Sequence, residues 1–177
     1  MKNAVVIFLR KKWGNYVLLA RKHAGSEIAG LKWNGYGGKM KSGETPKQAI
    51  IRETDEETEG SIQLLQSDLK YRGVVKFYNS DDDIANFRVH LFVADNVITE
   101  LPKSTEVMID PKWFWFDELP YSDMMPADKL FLPLILEKGL AVRGRVVFDP
   151  GFKGVKDFSY QELTKPEVET LLAEVEK

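Results

Sequence analysis

Three glutamates, Glu53, Glu56 and Glu57, stand at i, i+3 and i+4. On a helix this spacing crowds three carboxylates onto one face, where like charges repel. A solvated acidic face is one reading of such a run. The chemical reading is a hard divalent cation, because Mg²⁺ takes oxygen ligands, keeps several waters and is held by a few carboxylates together with substrate phosphates. The chain has no cysteine, and neither of its histidines, His23 and His90, lies near the run. Oxygen donors alone suit Mg²⁺ or Mn²⁺ and not zinc.

The element that must carry these side chains is written just ahead of them. Thr45 is a good N-cap, Pro46 falls at the first helical position and Gln48 completes a capping box, so the sequence predicts a helix from about residue 46. Before it runs a glycine-containing loop, Gly37-Gly38-Lys39-Met40-Lys41-Ser42-Gly43-Glu44. The succession Gly38, Glu44, Arg52-Glu53, Glu56-Glu57 resembles the Nudix box, the loop-helix signature of the MutT-like pyrophosphohydrolases. The resemblance implies metal binding by Glu53, Glu56 and Glu57, with the Gly38 carbonyl completing the shell. It further implies that Arg52 holds one of the glutamates in place and that Glu44 orients the set. Two positions depart from the family pattern: Thr54 replaces an aliphatic residue, and Glu59 stands where a glycine belongs, with Gly60 one place late. Since a glycine at C′ ends many helices, the delay reads as one extra helical residue.

Upstream, Trp33-Asn34-Gly35-Tyr36-Gly37-Gly38-Lys39 is similar to the oxidised-purine nucleoside triphosphatases within that family. There the asparagine, here Asn34, contacts the base, and Lys39 closes the run as a candidate substrate-binding residue. An amide offers both a donor and an acceptor, as reading a purine edge requires; an asparagine before glycine is also an ordinary turn residue. The same branch has Trp-Pro-Asp-Asp where this chain has Met125-Pro126-Ala127-Asp128. Met125 and Asp128 are thus candidate pocket residues, with core packing and a helix N-terminal acid as the alternatives. Lys22, at a strand end, is either a surface lysine or part of the mouth of a nucleotide pocket. Glu106 precedes a later strand, where family members often place one further acid that acts as a base or extra ligand.

At 177 residues the chain is long enough for one domain with a proper core. Its 44% hydrophobic and 29% charged residues are those of a globular protein. A net charge of −2, with the basic residues scattered, argues against DNA or RNA as partner and leaves a free nucleotide arriving with its metal. No signal peptide or spanning helix is evident, so the expectation is a cytoplasmic protein, monomeric or homodimeric.

Hairpins are expected from 4–9 with 16–21 and from 71–78 with 87–94, the latter joined through Asp81-Asp82-Asp83, which reads as a solvated loop. Further strands are expected at 112–116 and 144–149. An apolar helix containing Pro133 should follow Asp128, bent or delayed by the proline. A capped amphipathic helix over 164–176 carries Val168, Leu171, Leu172 and Val175 as its stripe, for packing on its own chain or against a second copy. The resemblance implies an α/β/α sandwich around a mixed sheet. It also implies Mg²⁺-dependent hydrolysis of a nucleoside triphosphate, with damaged purines such as 8-oxo-dGTP favoured. ADP-ribose, nucleotide sugars or dinucleoside polyphosphates are rival substrates, and a sensing module without turnover is a rival of another class.

Overall fold

The computed structural model describes residues 1–11, 13, 15–25, 30–80 and 84–175. The expected solvated loop at Asp81-Asp82-Asp83 lies outside these residues, as does Glu176 at the end of the expected C-terminal helix. Eight strands form one mixed sheet: β1 (Lys2–Lys11), β2 (Tyr16–Lys22), β3 (Trp33–Asn34), β4 (Lys70–Asn79), β5 (Phe87–Asp95), β6 (Met108–Trp115), β7 (Val142–Phe148) and β8 (Val155–Glu162). The order is β3-β2-β1-β5-β4-β7-β8, with β6 along the other edge of β2. Three α-helices flank it among the described residues: α1 (Pro46–Glu57), α2 (Asp128–Leu136) and α3 (Lys165–Val175).

Alternation along β1 shows why the sheet is covered on both sides. Val5, Ile7 and Leu9 join a core with Ala49 and Ile50 of α1, whereas Val6 and Phe8 join one with Phe131, Leu132 and Ile135 of α2. Residues two apart share a face, so each face acquires its own helix layer. This is the sandwich around a mixed sheet that the sequence led us to expect. From α3, Val168, Leu171 and Leu172 pack on the α1 side, so the C-terminal stripe is used within the chain.

Several expectations need correction. The first two strands do pair antiparallel, but only from Leu9↔Leu18 to Lys11↔Tyr16; the long partner of β1 is β5, in parallel from Lys2↔Phe87 to Arg10↔Asp95. The strand expected at 112–116 starts at Met108, and Phe116 leaves it for a 3₁₀ turn. Pro133 lies inside α2 without interrupting it. Strands β3 and β8 were not anticipated. The largest departure is the exit of α1. Its last helical residue is Glu57, and Thr58 is the C-cap. Glu59 then takes the left-handed conformation (φ 49°), followed by Gly60 (φ 76°). The Gly60 N–H reaches Asp55 O at 2.9 Å and the Glu59 N–H reaches Glu56 O at 3.4 Å, a Schellman cap with Glu59 at C′. The helix is not extended; a glutamate occupies the backbone state that a glycine would hold without strain. Glu59→Gly is therefore expected to stabilise the protein by about 1 kcal/mol, and Gly60→Val to destabilise it by at least as much, both read from melting curves. A destabilised Glu59→Gly would mean that its left-handed state carries no strain.

Among the described residues no helix is long and apolar enough to cross a membrane.

Candidate functional site

Position in this site starts with a short segment laid along β1. Ile7 and Tyr36 exchange backbone bonds at 2.8 and 3.1 Å, the Val5 N–H donates to Gly38 O at 2.9 Å and the Met40 N–H to Asn3 O at 3.0 Å. The resulting ledge brings Gly37 and Gly38 beneath α1. Gly37 has φ 142°, and a side chain on it would strike the Val5 carbonyl. At Gly38 a side chain would run into the Glu53 carboxylate. A bare backbone is thus required where the acidic helix meets the loop.

The start of α1 agrees with the sequence reading. Thr45 caps the helix, its side chain accepting the Gln48 N–H while Gln48 accepts the Thr45 N–H. That fixes the phase of the helix, and its acidic face is gathered by one guanidinium. Arg52 donates to both oxygens of Glu44, to Glu53 Oε1 at 2.8 Å, to Glu56 Oε2 at 2.9 Å and to Lys39 O at 3.2 Å. Those hydrogen bonds from Arg52 hold the Glu44 carboxyl down at about 2. Glu56 is about half exposed and also accepts from Lys41 at 3.2 Å. Burial works against its charge, but the bonds from Lys41 and Arg52 prevail and keep its pKa below the ordinary range.

Glu57 points inward. Its Oε1 accepts from Lys22 Nζ and its Oε2 from the Gly37 N–H, both at 2.7 Å. Lys22 Nζ also donates to Gly37 O. Burial pushes the Glu57 carboxyl above its usual pKa, against the Lys22 ammonium and these hydrogen bonds. Lys22 and Lys41 were not legible as glutamate partners. The sequence marks Lys22 only as either a surface lysine or part of the mouth of a pocket, and Lys41 carries no signal beyond its place in the loop.

Among the described residues no three acidic or imidazole side chains converge as a ready-made ligand set; each glutamate leans toward a protein cation. The donors nevertheless fit a hard divalent ion. Four carboxylates, those of Glu44, Glu53, Glu56 and Glu57, face three cations, Arg52, Lys22 and Lys41. Glu53 abuts Gly38, whose carbonyl has a second lone pair beside the one taken by Val5.

From the ledge a cleft of about 1180 Å³ opens on the α2 side of the sheet. Lys22, Gly38 and Lys39 line it, and so do Asn34, Met125 and Asp128. Six residues singled out in the sequence thus share one cavity. Asn34 uses its Oδ1 to accept the Gly35 N–H at 2.8 Å, leaving its amide N–H groups as donors. Asp128 opens α2, is buried, and accepts the Met125 N–H at 3.1 Å. Desolvation raises it to about 7, against that hydrogen bond and the charge of Lys32. Asp128 is therefore not a simple ionised acceptor at neutral pH. Lys32 is also on the cleft wall, and nothing in the sequence around it marks it as a pocket residue. Glu106 does not line this cavity. It is exposed on the loop whose Thr105 hydroxyl donates to Glu57 O at 3.0 Å, at the end of the acidic helix.

Comparison with known proteins gives concordant results. The NUDIX domain model matches residues 1–135. An oxidized purine nucleoside triphosphate hydrolase of Danio rerio is 38% identical over 123 residues, covering 69% of this chain and 72% of its own length. The Mus musculus protein of the same name is 34% identical over the same shares. Among solved structures, a MutT protein from Bacillus halodurans superposes with a TM-score of 0.71, covering 91% of this chain and 98% of the other at 22% identity. That last likeness concerns the fold.

Proposed function

Because the chain belongs to the Nudix family, we propose that this Nudix hydrolase converts oxidised purine nucleoside triphosphates such as 8-oxo-dGTP to the monophosphate and pyrophosphate. The observation that carries the reading is the single cleft that joins Asn34, Met125 and Asp128 to Lys22, Gly38 and Lys39. The candidate base readers and the candidate phosphate-side residues line the same cavity. The curated relatives named for oxidised purine triphosphates add support.

Family membership implies a divalent metal, and Mg²⁺ is our assignment, with Mn²⁺ as a substitute. Glu53, Glu56 and Glu57 would hold it, with the Gly38 carbonyl. When bound, it supplies charge neutralisation of the phosphate oxygens and a more acidic water. The chain's own residues set the geometry. Arg52 and Glu44 orient Glu53 and Glu56, Lys22 and the Gly37 N–H orient Glu57, and Lys39 offers the phosphates a cation. Glu106, on the loop tied to the helix end through Thr105, would be the candidate base. Asn34 donates to the ring of the base, and Asp128 receives its N1–H and 2-amino group.

Asp128 makes the reading testable. Guanine presents two donors on that edge, so it needs the ionised, acceptor-only carboxylate; the protonated acid substitutes one donor. The ratio of kcat/KM for 8-oxo-dGTP to that for 2-oxo-dATP is expected to rise as pH passes through about 7. A ratio cancels any pH dependence common to both substrates. In Asp128→Asn the step should vanish, and kcat/KM for 8-oxo-dGTP should fall by about tenfold or more. A flat ratio in the wild type, or faster hydrolysis of ADP-ribose than of any triphosphate, would sink the assignment.

A further inference from the structure

The cleft is larger than the groups assigned to it require. Its volume of about 1180 Å³ exceeds the roughly 300–1,000 Å³ that encloses most small ligands. The additional space has an aromatic wall that begins beside Asp128. Phe131 stands one helical turn beyond Asp128 on α2. Its ring meets Phe77 edge-on at 6.4 Å, Phe77 stacks on Phe148 at 5.8 Å, and Phe148 meets Phe152 edge-on at 5.1 Å. All four line the cleft, with Ile84 and Phe87 beside them. The last ring remains 37% exposed, on a backbone at φ 59° held by the Phe152 N–H to Asp149 O at 3.0 Å. A bulky residue in the left-handed region is a genuine outlier, and here it keeps an aromatic ring at the cavity rim.

We propose that this aromatic end is a subsite for an apolar or aryl group carried on the 2-amino nitrogen of a guanine nucleotide. The inference rests on the assignment of Asp128 as the base reader. A secondary amine keeps one N–H, and N1–H is untouched, so both contacts to Asp128 survive substitution. The substituent then leaves the base on the side of Phe131 and Phe77, where face and edge contacts await it.

The experiment uses monophosphates, so that binding is read without turnover. Calorimetry with N2-benzyl-dGMP and dGMP on the wild-type protein should give about tenfold tighter binding of the benzyl compound, the scale of one good aromatic contact. In Phe152→Ala that advantage should shrink to within about threefold while dGMP affinity holds; the exposed side chain makes this a mild change to the fold. Equal or weaker binding of the benzyl compound, binding of neither, or an advantage unaltered in Phe152→Ala overturns the subsite. Turnover of 8-oxo-dGTP without a benzyl advantage removes the subsite and keeps the proposed activity. A benzyl advantage without turnover of 8-oxo-dGTP does the reverse.

Discussion

Glu56→Gln is expected to lower turnover by about 10³-fold or more, roughly 4 kcal/mol in the transition state, and to leave the melting temperature where it was. The Glu56 side chain is 51% exposed and its partners are Arg52 and Lys41. Exposed pairs of this kind contribute little to stability, so a neutral isostere removes metal-binding charge and almost nothing else. Glu57→Gln should lose as much activity and, in addition, stability. Its carboxylate is 10% exposed and neutralises Lys22, itself 12% exposed; a part-buried ammonium left unpaired costs roughly 3 kcal/mol. Hydrolysis at saturating Mg²⁺ beside thermal melts separates the two. If both variants turn over at wild-type rates, the acidic helix is not the metal site.

Arg52→Gln should be at least as damaging. One guanidinium holds Glu44, Glu53 and Glu56, and without it three crowded carboxylates lose the cation they share, with Lys41 still beside Glu56. A loss of about 10³-fold in kcat and of roughly 2–4 kcal/mol in stability is expected. Arg52→Lys should rescue little of it, since an ammonium cannot bind Glu44 through a planar fork. The same contact predicts an acid limb. The Glu44 pKa is depressed from 4.5 to about 2, so its contribution to stability is present above 4.5 and is lost as pH falls toward 2. Denaturant unfolding at a series of acidic pH values should show this limb in the wild type and a weaker one in Arg52→Gln. Identical acid profiles would mean that Arg52 is not what holds Glu44 ionised.

Buried Asp128 acts with the opposite sign. Its pKa is raised from 3.8 to about 7, so the folded state binds the extra proton between those values. Stability should decline as pH rises across that window, by at most ~1.4 kcal/mol per pH unit. In Asp128→Asn this slope should disappear.

What could be read from the sequence was whatever is local. The capping box of α1 spans Thr45 to Gln48, and the three glutamates need only the helical repeat to share a face. The two pairs that steady them, Lys22 with Glu57 and Lys41 with Glu56, join residues that only the ledge along β1 brings together. Strand β8 gave no signal because it is an edge strand. Its side chains, Val155 to Glu162, are mostly exposed, so no alternation marks it. Strand β3 has two residues, too few for any period. At the helix exit the sequence pointed the wrong way, because Gly60 looked like the residue at C′ while the backbone places Glu59 there. In the base pocket, Asn34 and Asp128 were legible as candidates. The hydrogen bond that occupies Asn34 Oδ1 and the burial that shifts Asp128 were not, since both depend on the folded surroundings.

The parallel pairing of β1 with β5 and of β4 with β7 also sets the order in which the molecule comes together. Such non-local contacts place folding in the millisecond to second range, whereas a helix relaxes in about a microsecond. The acidic helix carries its own start signal, but the ledge that confronts it hangs on β1, and β1 has to wait for Lys2 to find Phe87. In a refolding experiment, helical circular dichroism should therefore recover well ahead of hydrolytic activity. On the ribosome the delay is longer still, because Phe131 and Phe148, which wall the cleft, are synthesised after the helix and the ledge have both emerged.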